Sequence, residues 1–295
     1  MKRLLLAFVL LLAAAQSALG DPSASTIPLT LTRSDYDGGR IYLPVRLGNA
    51  LGSMRLDTGA STSRVALAPW NKDFPRIGAS HSTGASGQAA LCDDVEARNV
   101  QLRASEGNGV ARGKYELTRC PTNDGDDLLG LDFFKGTRFL LDFDRRQMVL
   151  FGASQEGHPA PFRPLGDGRL IGLPVRVGDV ATVGLFDTGA EISAVDQRFV
   201  DAHRKLFTPV KSRLKASAAG GGRFTSKLYK VRQIAFGDGR AVKGVYVLAY
   251  DFGPLREALG PDVAFILGYN FVSRFNWEID LTNPASPGWL ATARK

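Results

Sequence analysis

The tripeptide Asp-Thr-Gly occurs twice, as Asp57-Thr58-Gly59 and as Asp187-Thr188-Gly189, followed by Ala60 and Ala190. Each aspartate closes a stretch of apolar character, Met54-Arg55-Leu56 in one copy and Val183-Gly184-Leu185-Phe186 in the other. A carboxylate at the end of a buried strand is costly unless hydrogen bonds surround it. The threonine offers a hydroxyl for such a network, and the glycine permits a tight turn with its N–H open to the carboxylate. Two carboxylates brought within a few Å of each other cannot both ionise, so they share one proton. The ionised one can then take a proton from a water, while the other donates to the oxygen of a carbonyl under attack. That chemistry is hydrolysis by a water, with neither a metal nor a covalent intermediate, and no cofactor is implied.

Such a pair needs a scaffold that brings its halves together, and the sequence around it is written twice. Leu43-Pro44-Val45-Arg46-Leu47-Gly48 returns as Leu173-Pro174-Val175-Arg176-Val177-Gly178, 130 residues later, the offset that also separates the two Asp-Thr-Gly copies. Leu128-Leu129-Gly130 returns as Ile266-Leu267-Gly268, and each is followed twelve residues on by an acid, Asp142 and Asp280. A repeat of this length decides the architecture before any local reading. Ile41 to Leu47 and Ser53 to Leu56 read as strands joined by a turn over 48–52. Arg138 to Phe143 and Gln147 to Phe151 read as a hairpin around Asp144-Arg145-Arg146. Helix candidates are few: Ser193 to Leu206, Leu128 to Lys135 and Gly268 to Arg274. Short strands with frequent turn signals predict an all-β protein of two pseudo-symmetric barrel-like lobes with a cleft between them. The Gly- and Pro-rich run from Gly152 to Pro161 marks the division. The lobes are expected at 21–153 and 165–295, with a linker over 154–164.

Composition excludes other classes. Lys2 and Arg3, the apolar run Leu4 to Ala15 and the small residues Ala18-Leu19-Gly20 read as an export signal over 1–20, cleaved before Asp21. The run is shorter than the roughly 20 residues of a membrane span, and no later segment approaches that length, so no transmembrane segment is expected. Without Lys2 and Arg3 the formal charge falls from +8 to +6. The basic residues are not interleaved with aromatics as a nucleic-acid surface requires, and no nucleic-acid partner is expected. Cys92 and Cys120 are an even pair, which in an exported chain reads as one disulfide, two free thiols being the other reading. His81, His158 and His203 lack metal-ligand spacing, so no metal is expected. No Gly-x-Ser-x-Gly elbow is present. Gly113-Lys114 fails as a phosphate loop because Asn108 stands at the first glycine position and Tyr115 follows the lysine.

At these residues the chain resembles the aspartic protease clan that contains the pepsins and the retropepsins. In that clan each lobe carries Asp-Thr/Ser-Gly and later an apolar-apolar-Gly packed beneath the catalytic loop. The resemblance covers most of residues 40–290. It implies an aspartic endopeptidase with Asp57 and Asp187 as the catalytic pair, and Thr58, Gly59, Thr188 and Gly189 supporting their loops. Ala60 and Ala190 are closer to the retroviral branch, while two lobes in one chain follow the pepsins. A fused pair of this kind implies a monomer acting on a peptide or protein, exported to a periplasm or secreted. No tyrosine is placed as in the pepsin flap. The Gly/Ser-rich stretches holding Gly84, Ser86 and Gly87, and Gly220 and Gly221, are candidate flap tips over substrate, or ordinary loops. Glu191, where the first copy has Ser61, is either a substrate contact or a surface charge. The rival reading is a catalytically inactive peptide-binding or inhibitory module on the same fold.

Overall fold

Strands that bury alternate residues account for most of the regular structure, as in Gly39–Leu47, where Ile41, Leu43, Val45 and Leu47 all face the core. The computed structural model describes residues 24–295 apart from 85–88, 122–125, 152–159, 218–222 and 238. The expected export signal therefore lies outside the described residues, as do residues 154–159 of the expected linker. In the first half the strands are β1 (Ser25–Pro28), β2 (Thr30–Arg33), β3 (Gly39–Leu47), β4 (Ala50–Asp57), β5 (Arg64–Ala66), β6 (Arg76–Thr83), β7 (Ala89–Leu102), β8 (Ala111–Cys120), β9 (Leu128–Gly130), β10 (Arg138–Asp142) and β11 (Gln147–Phe151). The second half holds β12 (Ala160–Pro161), β13 (Arg163–Leu165), β14 (Leu170–Val177), β15 (Val180–Phe186), β16 (Ser193–Asp196), β17 (Phe207–Ser217), β18 (Arg223–Phe236), β19 (Arg240–Tyr250), β20 (Val263–Leu267), β21 (Phe275–Asp280) and β22 (Gly288–Ala293). Among the described residues three short α-helices join them: α1 (Gln197–Ala202), α2 (Gly253–Leu259) and α3 (Tyr269–Val272).

The repeat becomes two matching eight-stranded sheets, ordered β2-β3-β4-β9-β5-β8-β7-β6 and β13-β14-β15-β20-β16-β19-β18-β17. In each, the strand that leads to the aspartate pairs in parallel with the strand that leads to the apolar-apolar-Gly glycine: Asp57 lies opposite Gly130, and Phe186 opposite Leu267. A third sheet, β1-β11-β10-β21-β22-β12, takes strands from both halves. At its centre β10 and β21 run antiparallel, with Phe139 opposite Ile279 and Leu141 opposite Trp277. Trp277 is fully buried there, its ring 4.9 Å from Phe186 and 5.4 Å from Phe236, and its indole N–H donates to Val272 O at 2.6 Å. This aromatic cluster joins the sheet shared by both halves to the strand that carries Asp187. Among the described residues no helix is long and apolar enough to cross a membrane.

Several local expectations change: Leu128 to Lys135, expected as helix, opens as strand β9 and holds only one 3-10 turn, Leu131–Phe134. The helix expected from Ser193 begins only at Gln197, because Ser193 to Asp196 form a buried strand between β19 and β20. The Asp196 carboxylate caps the shortened helix by accepting from Arg198 N at 3.1 Å. The turn after β3 is the two-residue Gly48-Asn49 and not the longer 48–52, with Gly48 at φ 61°, where glycine carries no steric cost. Helix α2, with a proline in its first turn, was not foreseen. Cys92 and Cys120 are joined in a disulfide that ties β7 near its start to the end of β8.

Candidate active site

Strands β4 and β15 end at matching places, so the two Asp-Thr-Gly turns meet face to face. The Thr58 hydroxyl donates to Phe186 O at 2.7 Å, and the Thr188 hydroxyl donates to Leu56 O at 2.9 Å. Each hydroxyl also accepts from the other turn's backbone, Thr188 N to Thr58 Oγ1 at 3.0 Å and Thr58 N to Thr188 Oγ1 at 3.1 Å. Both threonines are fully buried, so every one of these polar groups needs its partner. The four bonds lock one half to the other directly beneath the aspartates.

The glycines let the turns close. A Cβ on Gly59 would overlap the Asp187 carboxyl, and one on Gly189 would overlap that of Asp57. Asp57 Oδ1 accepts from Gly59 N at 3.0 Å. Asp187 Oδ1 accepts from Gly189 N at 2.8 Å and Ala190 N at 3.1 Å. Burial, with the charge and side chain of Asp57 beside it, pushes the Asp187 carboxyl up to about 8. One proton held between two carboxyls is the arrangement in which one group acts as base and the other as acid.

Beneath each turn lies a second layer. In the first half Gly130 N donates to Ser63 Oγ at 2.8 Å, and Ser63 Oγ lies 2.6 Å from the Tyr115 hydroxyl and 3.1 Å from Asp132 Oδ1. Tyr115 donates to Asp132 Oδ2 at 2.5 Å, and burial pushes the Asp132 carboxyl above its ordinary range. In the second half Gly268 N donates to Ser193 Oγ at 3.0 Å, and both Ser193 N and Ser193 Oγ donate to Asn270 Oδ1. Asp132 and Asn270 stand at matching places, two residues past the glycine. Sequence reasoning placed Asp132 only within the helix candidate Leu128 to Lys135 and missed this role. The matching polar residue in the second copy was the signal for it.

Glu191 lies at the junction of the halves. Its carboxylate pairs with the Arg40 guanidinium, whose Nη1 also reaches Asp126 Oδ2 at 3.0 Å. It is thus held by an ion pair across the two halves. Gly84 is buried at the end of β6. Ser86, Gly87, Gly220 and Gly221 lie outside the described residues. The hairpins that lead to them, β6–β7 and β17–β18, occupy matching positions at the edges of the two large sheets.

Residues 173–271 match the model of a family described as "Aspartyl protease". No curated protein matches the chain in sequence. Two solved structures are similar to it in fold. The basic 7S globulin from soybean has a TM-score of 0.57 at 11% identity, over 92% of this chain and 95% of that one. The aspartic proteinase from Irpex lacteus has a TM-score of 0.49 at 16% identity, over 91% of this chain and 97% of that one. The shared two-lobed β fold leaves the chemistry to be argued from the site.

Proposed function

With a second lobe that belongs to the aspartyl protease family, we propose that this chain is an aspartic endopeptidase that cleaves peptide bonds with a water activated by Asp57 and Asp187. The observation that carries the reading is the facing pair of carboxyls, each pressed against the other turn's glycine and held by the reciprocal threonine bonds. The ionised carboxylate takes a proton from the water as its oxygen bonds to the scissile carbonyl carbon. The protonated carboxyl donates to the carbonyl oxygen, giving a neutral tetrahedral diol. Collapse of the diol returns a proton to the leaving nitrogen and breaks the C–N bond. The substrate is an extended peptide between the two edge hairpins, and one chain supplies both halves of the site. The Cys92–Cys120 disulfide supports export to an oxidising compartment.

The likeness of fold to a protein named a globulin keeps one other reading in view, a peptide-binding module without turnover. The experiment that separates them is incubation with a mixed peptide library over a pH series, read by mass spectrometry, beside Asp57→Asn. Endopeptidase activity gives new internal termini in the wild type and none in the variant. Peptides retained but uncut by the wild type establish the binding module instead.

A further inference from the structure

In the turn that precedes the long hairpin of each lobe, two matching residues share a left-handed φ, although Gly168 is left-handed and its counterpart Gly38 is not. Between β2 and β3, Tyr36 and Asp37 have φ of 59° and 62°; between β13 and β14, Gly166 and Asp167 have φ of 54° and 57°. Glycine adopts this left-handed conformation freely, whereas a tyrosine is strained by it. The second lobe places glycine, which suits that φ without strain, at the position matching Tyr36. The first lobe keeps a bulky residue there against its backbone preference, and such strain persists only where other contacts hold it.

Those contacts are on the opposite lobe. The Tyr36 ring meets Tyr246 edge-on at 5.2 Å, and Asp37 Oδ2 pairs with Arg274 Nη2 at 2.8 Å. A Cβ on Gly38 would lie 3.1 Å from Glu191 O, and one on Gly39 would lie 2.7 Å from the Tyr269 ring. Arg40, next along, pairs with Glu191. The matching turn of the second lobe faces its own lobe among the described residues: a Cβ on Gly168 would meet nothing within 4 Å, and Gly166 lies beside Leu170 and Leu259. Leu170 and Ser61 stand where a second Arg40–Glu191 pair would have to be.

The residues gripped by the turn are the ones that hold Asp187. Tyr269 N donates to Ala190 O at 2.7 Å, while Ala190 N donates to Asp187 Oδ1. Asn270 binds Ser193 through its Oδ1, donates to Tyr246 O at 2.8 Å and reaches Tyr36 O at 3.5 Å. Arg274 Nε donates to Asn270 O at 3.3 Å. We propose that the Tyr36-Asp37 turn of the first lobe is a positioning element for Asp187, acting through α3 and Glu191 on residues 187–193. The first lobe's own loop needs no such help, because Tyr115 of the same lobe braces Asp132. The role rests on the dyad reading; the contacts themselves do not.

The test compares Tyr36→Gly, which installs the residue found in the second lobe's turn, with Arg274→Met, Arg274→Lys and, as control, Asp167→Ala. The readouts are kcat and KM on a peptide the wild type cleaves, and amide hydrogen exchange at Tyr269 and Ser193. Tyr36→Gly and Arg274→Met are expected to lower kcat about tenfold with KM within about twofold, a barrier change the size of one hydrogen-bond network. Both are expected to speed exchange at the two amides. Arg274→Lys restores part of each effect, and Asp167→Ala changes neither. Wild-type kcat in a folded Tyr36→Gly overturns the proposal, as does a fall in kcat with unchanged exchange at Tyr269 and Ser193. If Arg274→Met does not fold, Tyr36→Gly, which relieves backbone strain, decides alone. A wild type that cleaves nothing refutes the dyad reading, and with it any catalytic role for the turn, even if the exchange results show that the turn grips α3.

Discussion

Burial and the neighbouring Asp57 both oppose ionisation of Asp187 and push it up to about 8, far above the ordinary carboxylate range. Its folded value lies above the unfolded 3.8, so between those limits the folded state holds a proton that the unfolded state has lost. The contribution of this group to stability is therefore greatest below about pH 4 and falls as pH rises toward 8, by at most about 1.4 kcal/mol per unit. Asp187→Asn removes the titration. Thermal melts of that variant are expected to depend less on pH from 4 to 8 than those of the wild type, and its cleavage of peptide is expected to be lost. A second expectation concerns Ala60 and Ala190, which bring no hydroxyl to the dyad. Introducing one with Ala60→Ser and Ala190→Thr adds a donor that favours the charged carboxylates. The upper limb of the pH profile of kcat/KM should move to lower pH by up to about one unit, the worth of one modest hydrogen bond. An unmoved limb in an active double variant refutes that electrostatic account.

At the scale of elements, the two lobes brace equivalent loops by different means. Tyr115→Phe takes a donor from the buried Asp132 carboxyl and is expected to cost about 1–3 kcal/mol, measured by denaturant unfolding. Asp132→Asn copies the residue at the matching position of the second lobe, Asn270, and should cost less than Tyr115→Phe. The disulfide is another feature of the first lobe only. It spans 28 residues, and Cys92→Ser with Cys120→Ser is expected to lower stability by about 3–4 kcal/mol through the freedom returned to the unfolded chain. Intact mass after alkylation, with and without reduction, checks the bond itself.

For the whole molecule, the junction of the lobes carries the site. The threonine bonds, the Arg40–Glu191 pair and the shared β10–β21 sheet all cross it. Trp277 packs under this junction against Phe186, the residue before Asp187. Trp277→Ala is expected to destabilise by about 3–5 kcal/mol, because the cavity falls where neither lobe can collapse into it alone. Activity should be lost at temperatures where the variant is still folded by circular dichroism. Retained wild-type turnover there would show that the aromatic cluster does not hold the dyad in place.

The sequence by itself determined which aspartates meet, since two copies of a rigid turn on equivalent strands come together at the axis relating the copies. It also settled the β class, because period-two burial and turn residues are local signals, and the even pair of cysteines pointed to one bond. It did not settle where strand gives way to helix after Ser193, because β19 and β20 together capture Ser193 to Asp196 against their local preference. Asp132 was hidden within an apolar run, legible only by comparison with Asn270. Glu191 stood out as an asymmetry, yet its partner Arg40 lies 151 residues away. The clasp of Tyr36 and Asp37 on Arg274 and Tyr246 had no signature in the chain. Contacts between lobes join residues that no period or motif relates, so only the packing of one lobe on the other decides them.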